Sequence, residues 1–155
     1  MRLLALVALL AVVGCTTTEE NKPPAPHQCA GTFSGAWRLV GTALGDGGCG
    51  APKSVEMTIT IDDALTKIAE SYDDGTSSEL KTAPLQSCDS LIASRVESVP
   101  DGTQLTSSLI LASPKAPERL TGVIEINLYE PSDFETNRGS ATPICKVVYD
   151  TVLTR

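Results

Sequence analysis

Ser54-Val55-Glu56-Met57-Thr58-Ile59-Thr60-Ile61-Asp62 alternates apolar and polar residues without a break. Successive side chains of an extended chain point to opposite faces, so this stretch reads as a strand with one face in a core and the other in water. The same period of two recurs on both sides of it. Residues 120–128 set Leu120, Ile124, Ile126 and Leu128 on one face, and residues 33–39 do the same for Phe33, Trp37 and Leu39. Leu105, Leu109 and Leu111 share a face within 103–112, as do Val147, Tyr149 and Leu153 in the last segment. Weaker strands at 64–72, 77–83 and 90–97 bring the count to eight.

Turn chemistry separates these strands as a meander requires. Asp73-Asp74-Gly75 and Pro100-Asp101-Gly102 are hairpin signals, since Pro presets φ and Gly accepts a positive one. Asp62-Asp63 offers another tight turn, and Pro114 and Pro117 bracket a break in pairing. Two connections are longer, Gly41–Lys53 and Pro131–Pro143. The expected fold is all-β over residues 29–155. Eight antiparallel strands joined in order bury their apolar faces by closing into an up-and-down barrel, which leaves no edge exposed. A two-sheet sandwich is the alternative.

At the N-terminus, Leu10-Ala11-Val12-Val13-Gly14-Cys15 ends a short apolar run on a small residue and a cysteine. About eleven apolar residues make only ~16 Å of helix, half a bilayer core. Arg2 in front and the small residues behind complete an export signal. The run resembles the lipobox of bacterial lipoproteins. That resemblance implies a signal peptide at 1–14, cleavage after Gly14, and acylation of Cys15, which would anchor the chain to a membrane. Thr16 stands where retention in the inner membrane would use Asp, so the resemblance implies the outer membrane. Residues 15–28, with Pro23, Pro24 and Pro26, read as an extended, Pro-rich tether.

Loss of residues 1–14 removes Arg2 and shifts the formal charge from 12 − 19 = −7 to 11 − 19 = −8. So acidic a surface repels phosphate backbones, which argues against nucleic acid as a partner, and it disfavours docking on anionic headgroups. Cys29, Cys49, Cys88 and Cys145 remain after Cys15, an even number in an exported chain, and read as two disulfides with three possible connectivities. Zinc would need ligands at close spacing, whereas these four lie 20 to 57 residues apart, and the single histidine, His27, falls in the tether.

Gly35-Ala36-Trp37 on the first strand, with Arg155 after the last, resembles the lipocalin-like barrels. The resemblance implies that Trp37 closes the barrel floor beside Gly35 and that Arg155 stacks across it. Strand parity in such a barrel places Cys29 and Cys88 at one end. Closure of strand one on strand eight brings Cys49 to Cys145 at the other. The expected pairs are Cys29–Cys88 and Cys49–Cys145. Ser34 to Leu39 also resembles the first strand of envelope barrels that inhibit metalloproteases, although those domains are shorter.

Little in the chain suggests catalysis. The serines have no base at hand, and neither a G-x-S-x-G elbow, an H-E-x-x-H pair nor a Walker loop occurs. The carboxylate pairs Asp62-Asp63 and Asp73-Asp74 fall in turns, where such acids are usually solvated. Gly45-Asp46-Gly47-Gly48 opens no helix that would help it hold an anion. No cofactor, metal or enzymatic activity is expected. The sequence points to a membrane-anchored envelope module that binds a protein through residues 41–53 and 131–143, with Phe134 as apolar anchor. The alternatives are a carrier of a small apolar ligand, with its mouth at those same loops, or an envelope protease inhibitor.

Overall fold

The alternating stretch forms strand β2 (Ser54–Ile61), with Met57, Ile59 and Ile61 buried and Glu56, Thr58 and Thr60 in solvent. Around it, the computed structural model describes residues 23–45, 48–113 and 116–155. Cys15, the 1–14 segment, the tether as far as residue 22, Asp46-Gly47 and Pro114 lie outside the described residues.

Seven further strands complete the sheet: β1 (Gly35–Ala43), β3 (Lys67–Ser71), β4 (Ser77–Thr82), β5 (Ser90–Val99), β6 (Gly102–Leu111), β7 (Arg119–Tyr129) and β8 (Cys145–Thr154). All pairs are antiparallel, each strand pairs with the next in sequence, and β1 pairs with β8, so the sheet closes into an eight-stranded barrel. The barrel, and not the two-sheet sandwich, is the fold. Leu39 opposite Leu153 in the β1–β8 ladder carries the closing seam into the core.

The two ends differ. At one, helix α1 (Pro26–Phe33) crosses the opening and buries Cys29 and Phe33, which share a helix face at a spacing of four. This corrects two expectations. Pro26 to Gln28 are the first helical turn, not extended tether, and Phe33 closes that helix and does not open β1. The local cause is at the helix start. Pro26 brings a preset φ to the first turn, and the Gln28 side chain accepts from the Ala25 N–H at 3.0 Å. The other end carries the longer loops, a short 3-10 turn (Gly48–Gly50) and helix α2 (Pro131–Thr136).

Both cysteine pairs expected from strand parity are formed, Cys29–Cys88 with Cα atoms 5.0 Å apart and Cys49–Cys145 at 5.5 Å. The first ties α1 to the β4–β5 connection at the helix-covered end. The second ties the β1–β2 connection to the start of β8 at the loop end.

Register is decisive in β6. Pro100-Asp101 makes a two-residue connection, Val99 pairs with Gly102, and Gly102 takes φ 149, a value open chiefly to glycine. That register turns Thr106, Ser108 and Ile110 inward, so the face shared by Leu105, Leu109 and Leu111 lies on the outside. Ile92 and Val96 of β5 add to this outer apolar strip, with Ile92 paired to Leu109 and Val96 to Leu105. Phe134 is a further correction. It is buried under α2, with its ring 5.1 Å from that of Tyr129 and the Arg138 guanidinium 5.5 Å above it, and so cannot serve as an exposed anchor.

Candidate functional site

Three places hold the residues singled out by sequence. At the helix-covered end, Trp37 is buried on β1 and its indole N–H donates to the Phe33 carbonyl at 2.7 Å. Arg155 lies over its ring, with Cζ 4.3 Å from the centroid, and donates to the Ser34 carbonyl at 2.8 Å. Gly35, at φ 104, makes the bend between α1 and β1 that lets helix and strand share this corner. Trp37 and Arg155 thus meet across the floor, with α1 beneath them. Trp37 is buried and hydrogen-bonded within this corner, and the arrangement is structural.

One carboxylate of each pair, Asp62 and Asp74, is occupied by its own turn. Asp62 accepts from the N–H groups of Thr66 and Lys67 and from the Thr66 hydroxyl, at 2.6–3.0 Å. Burial works against its charge, yet these hydrogen bonds hold its pKa below the ordinary carboxylate value. Asp74 is held low by the hydroxyl and N–H of Thr76. Among the described residues, no group of three His, Cys, Asp or Glu side chains is placed to hold a metal ion.

The barrel interior changes character along its length. Toward the helix-covered end it is filled by Trp37, Ile61, Leu91, Ile110, Leu120 and Leu153, each at most 1% exposed. Toward the loop end it holds a cavity of about 80 Å³ with two unlike walls. Val55, Met57, Ile124, Ile126 and Tyr149 form the apolar wall, and Glu70, Tyr72, Arg95, Gln104 and Thr106 the polar one. Glu70 Oε2 accepts from Arg95 Nη1 at 2.9 Å, Tyr72 Oη at 3.1 Å and Ser78 Oγ at 2.5 Å. Arg95 Nη2 donates to Glu97 Oε1 at 3.1 Å, and Gln104 donates to the same oxygen.

Burial opposes the Arg95 charge, but Glu70 and Glu97 outweigh it and raise its pKa above the usual guanidinium value. Burial, with the Glu70 charge behind it, likewise raises the Tyr72 phenol. Sequence reading missed this cluster, although a signal was present. Glu70 falls in phase with Ile68, and Arg95 with Leu91 and Ala93, so both charges occupy inward positions of alternating strands.

No protein family, characterised protein or solved structure matches this chain. Geometry therefore carries the functional reading.

At the loop end, Cys49–Cys145 fixes two surface segments to the rim. Leu44, whose N–H donates to the Val148 carbonyl at 2.8 Å, is 59% exposed. Ile144, bonded from its N–H to the Leu128 carbonyl at 2.7 Å, is 53% exposed. Both backbones are held by the barrel while the apolar side chains stand in water. The described parts of 41–53 and 131–143 thus lie at one end, and the exposed apolar side chains there are Leu44 and Ile144 in place of the expected Phe134.

Proposed function

We propose that this chain is a non-catalytic binding lipoprotein of the bacterial envelope. Cys15 anchors it to the outer membrane, and the loop end of the barrel engages a protein partner. The observation that carries this reading is the filling of the interior. Pockets for drug-sized ligands run to roughly 300–1,000 Å³, whereas the cavity here is about 80 Å³ and five of its ten lining residues are polar or charged. An apolar cargo has no room inside, which leaves the surface. On that surface Leu44 and Ile144 are apolar side chains on a rim braced by a disulfide. Preorganisation of this kind lowers the ordering cost of association.

The test compares retention of envelope proteins by the immobilised protein and two double variants. Leu44→Asp with Ile144→Asp should reduce retention at least tenfold with little change in thermal midpoint. Ile92→Asp with Leu109→Asp, on the outer strip of β5–β6, should leave it unchanged. Loss through the outer strip alone would move the interface to the barrel wall. A non-covalently held apolar molecule in native mass spectra of the purified protein would favour the carrier instead.

A further inference from the structure

Every outward position of β5 and β6 holds Ser, Thr, Val, Ile or Leu, so the outer face of this strand pair carries no ionisable group. Ile92, Val96, Leu109 and Leu111 stand exposed on it, Ile92 most of all at 52%. In a chain of formal charge −7, an uncharged apolar strip that runs the length of two strands marks a contact surface.

What covers the strip is indicated by the charges beside it. The middle row of the face crosses four strands as Lys81, Ser94, Ser107 and Glu125, each opposite the next in its ladder. A cation closes this row on one side and an anion on the other, with two serines between. Lys81 is exposed and makes no ion pair among the described residues. The Glu125 side chain is 36% exposed while it pairs with Lys146 at 2.7 Å, and its carboxylate has lone pairs for a second cation.

A second copy of the same face answers this pattern. Two sheets meeting about a two-fold have a choice of axis. An axis across the strands would set Lys81 against Lys81 and Glu125 against Glu125. An axis along the strands, between β5 and β6, sets Lys81 of each copy against Glu125 of the other. It also sets Ile92 against Leu109 and Val96 against Leu105, with the small Ser94 and Ser107 at the centre. The pairing is made twice, as an isologous interface requires. A lipid surface or a foreign peptide would use the apolar strip but has no need of opposite charges one strand to either side.

We infer that the outer face of β5–β6 is a self-association surface, on which two copies pack about a two-fold parallel to the strands. At ~3.4 Å per residue and ~4.8 Å per strand, the two strands present about 330 Å² per copy. With the flanking side chains of β4 and β7, two copies bury roughly 1,000 Å², the lower limit for a specific interface, so the dimer is weak. Both loop ends then point the same way, and the rim formed by Leu44 and Ile144 stays open in each copy.

The test is sedimentation of the purified protein over a range of concentrations, kept below one copy per detergent micelle. Wild type should pass reversibly from monomer to dimer in the micromolar range or above. Leu109→Asp should abolish the dimer, since it sets a carboxylate in the strip. Lys81→Glu and Glu125→Lys should each weaken association at least about fivefold, because like charges then meet twice. An equimolar mixture of these two variants restores both opposite pairs, and it should associate within about twofold of wild type. That recovery cannot come from misfolding or from a generally stickier surface. A monomer at every concentration to about 1 mM would overturn the proposal and leave the strip to a membrane or a foreign protein. Association that survives Leu109→Asp, or a mixture no stronger than its components, would overturn it equally.

Discussion

At the scale of single residues, the floor and the mouth of the barrel show what a sequence reveals and what it hides. Trp37 and Arg155 were legible because Gly35-Ala36-Trp37 with an Arg after the last strand resembles the lipocalin-like barrels, a resemblance that implies their contact across the floor. Glu70 and Arg95 were not, since each looks like an ordinary strand charge until the phase of its neighbours is taken seriously. The floor pair supports a direct prediction. Arg155 over Trp37, at 4.3 Å, is a cation–π contact at a partly open position. Such contacts contribute about 0.5–1 kcal/mol. Arg155→Ala should therefore destabilise by about 1 kcal/mol once its hydrogen bond to Ser34 is included, a fall of about 2–4 °C in midpoint. Urea unfolding should show a smaller cost of Arg155→Ala in a Trp37→Leu background, where the ring is gone. Equal costs in both backgrounds would mean that Arg155 acts through Ser34 and not through the indole.

Elements are specified by pattern only where one face is plainly the core. β2 and β8 met that condition, and their inward residues could be read directly from the alternation. β6 did not, because Leu105-x-x-x-Leu109-x-Leu111 is the more apolar face and points outward. Its inner positions are Thr106, Ser108 and Ile110, polar where they approach the Arg95 cluster and apolar only near the covered end. The hairpin at Pro100-Asp101 sets this register, since a slip of one residue would exchange the faces. Helix α1 was hidden for a different reason. Three prolines within 23–26 suggest an extended tether, and only tertiary burial of Cys29 and Phe33 rewards a helix beginning at Pro26. Paired substitutions in β6 test the assignment. Ile110→Ser should cost about 2–4 kcal/mol, as loss of a buried aliphatic side chain does. Leu109→Ser, one position away and exposed, should cost under about 1 kcal/mol. Chemical denaturation of the two proteins separates these outcomes, and a reversal would place the leucine face inside.

For the molecule as a whole, strand count and parity were enough to foresee closure and both cysteine pairs, because each follows from topology. The charged cavity at the loop end was not foreseeable. It depends on how far β3 and β4 extend, and short strands there leave the β4–β5 ladder incomplete beside the polar cavity. The disulfides now stand at opposite ends and have different work to do. Cys29–Cys88 closes a segment with a separation of 59 residues and clamps α1 onto the floor; Cys49–Cys145 spans 96 and braces the rim. Each should contribute about 2–4 kcal/mol, mainly by restricting the unfolded chain, so stability alone will not tell them apart. Binding will. Cys29→Ser with Cys88→Ser should lower the denaturation midpoint and loosen the packing around Trp37, seen as a change in its fluorescence, while partner retention at working temperature is kept. Cys49→Ser with Cys145→Ser should lower the midpoint to a similar degree and leave Trp37 unchanged. It should also weaken retention, because the segments carrying Leu44 and Ile144 must then be ordered at the moment of association. Retention lost equally in both double variants would show that global stability governs binding and would remove the rim from its assigned role.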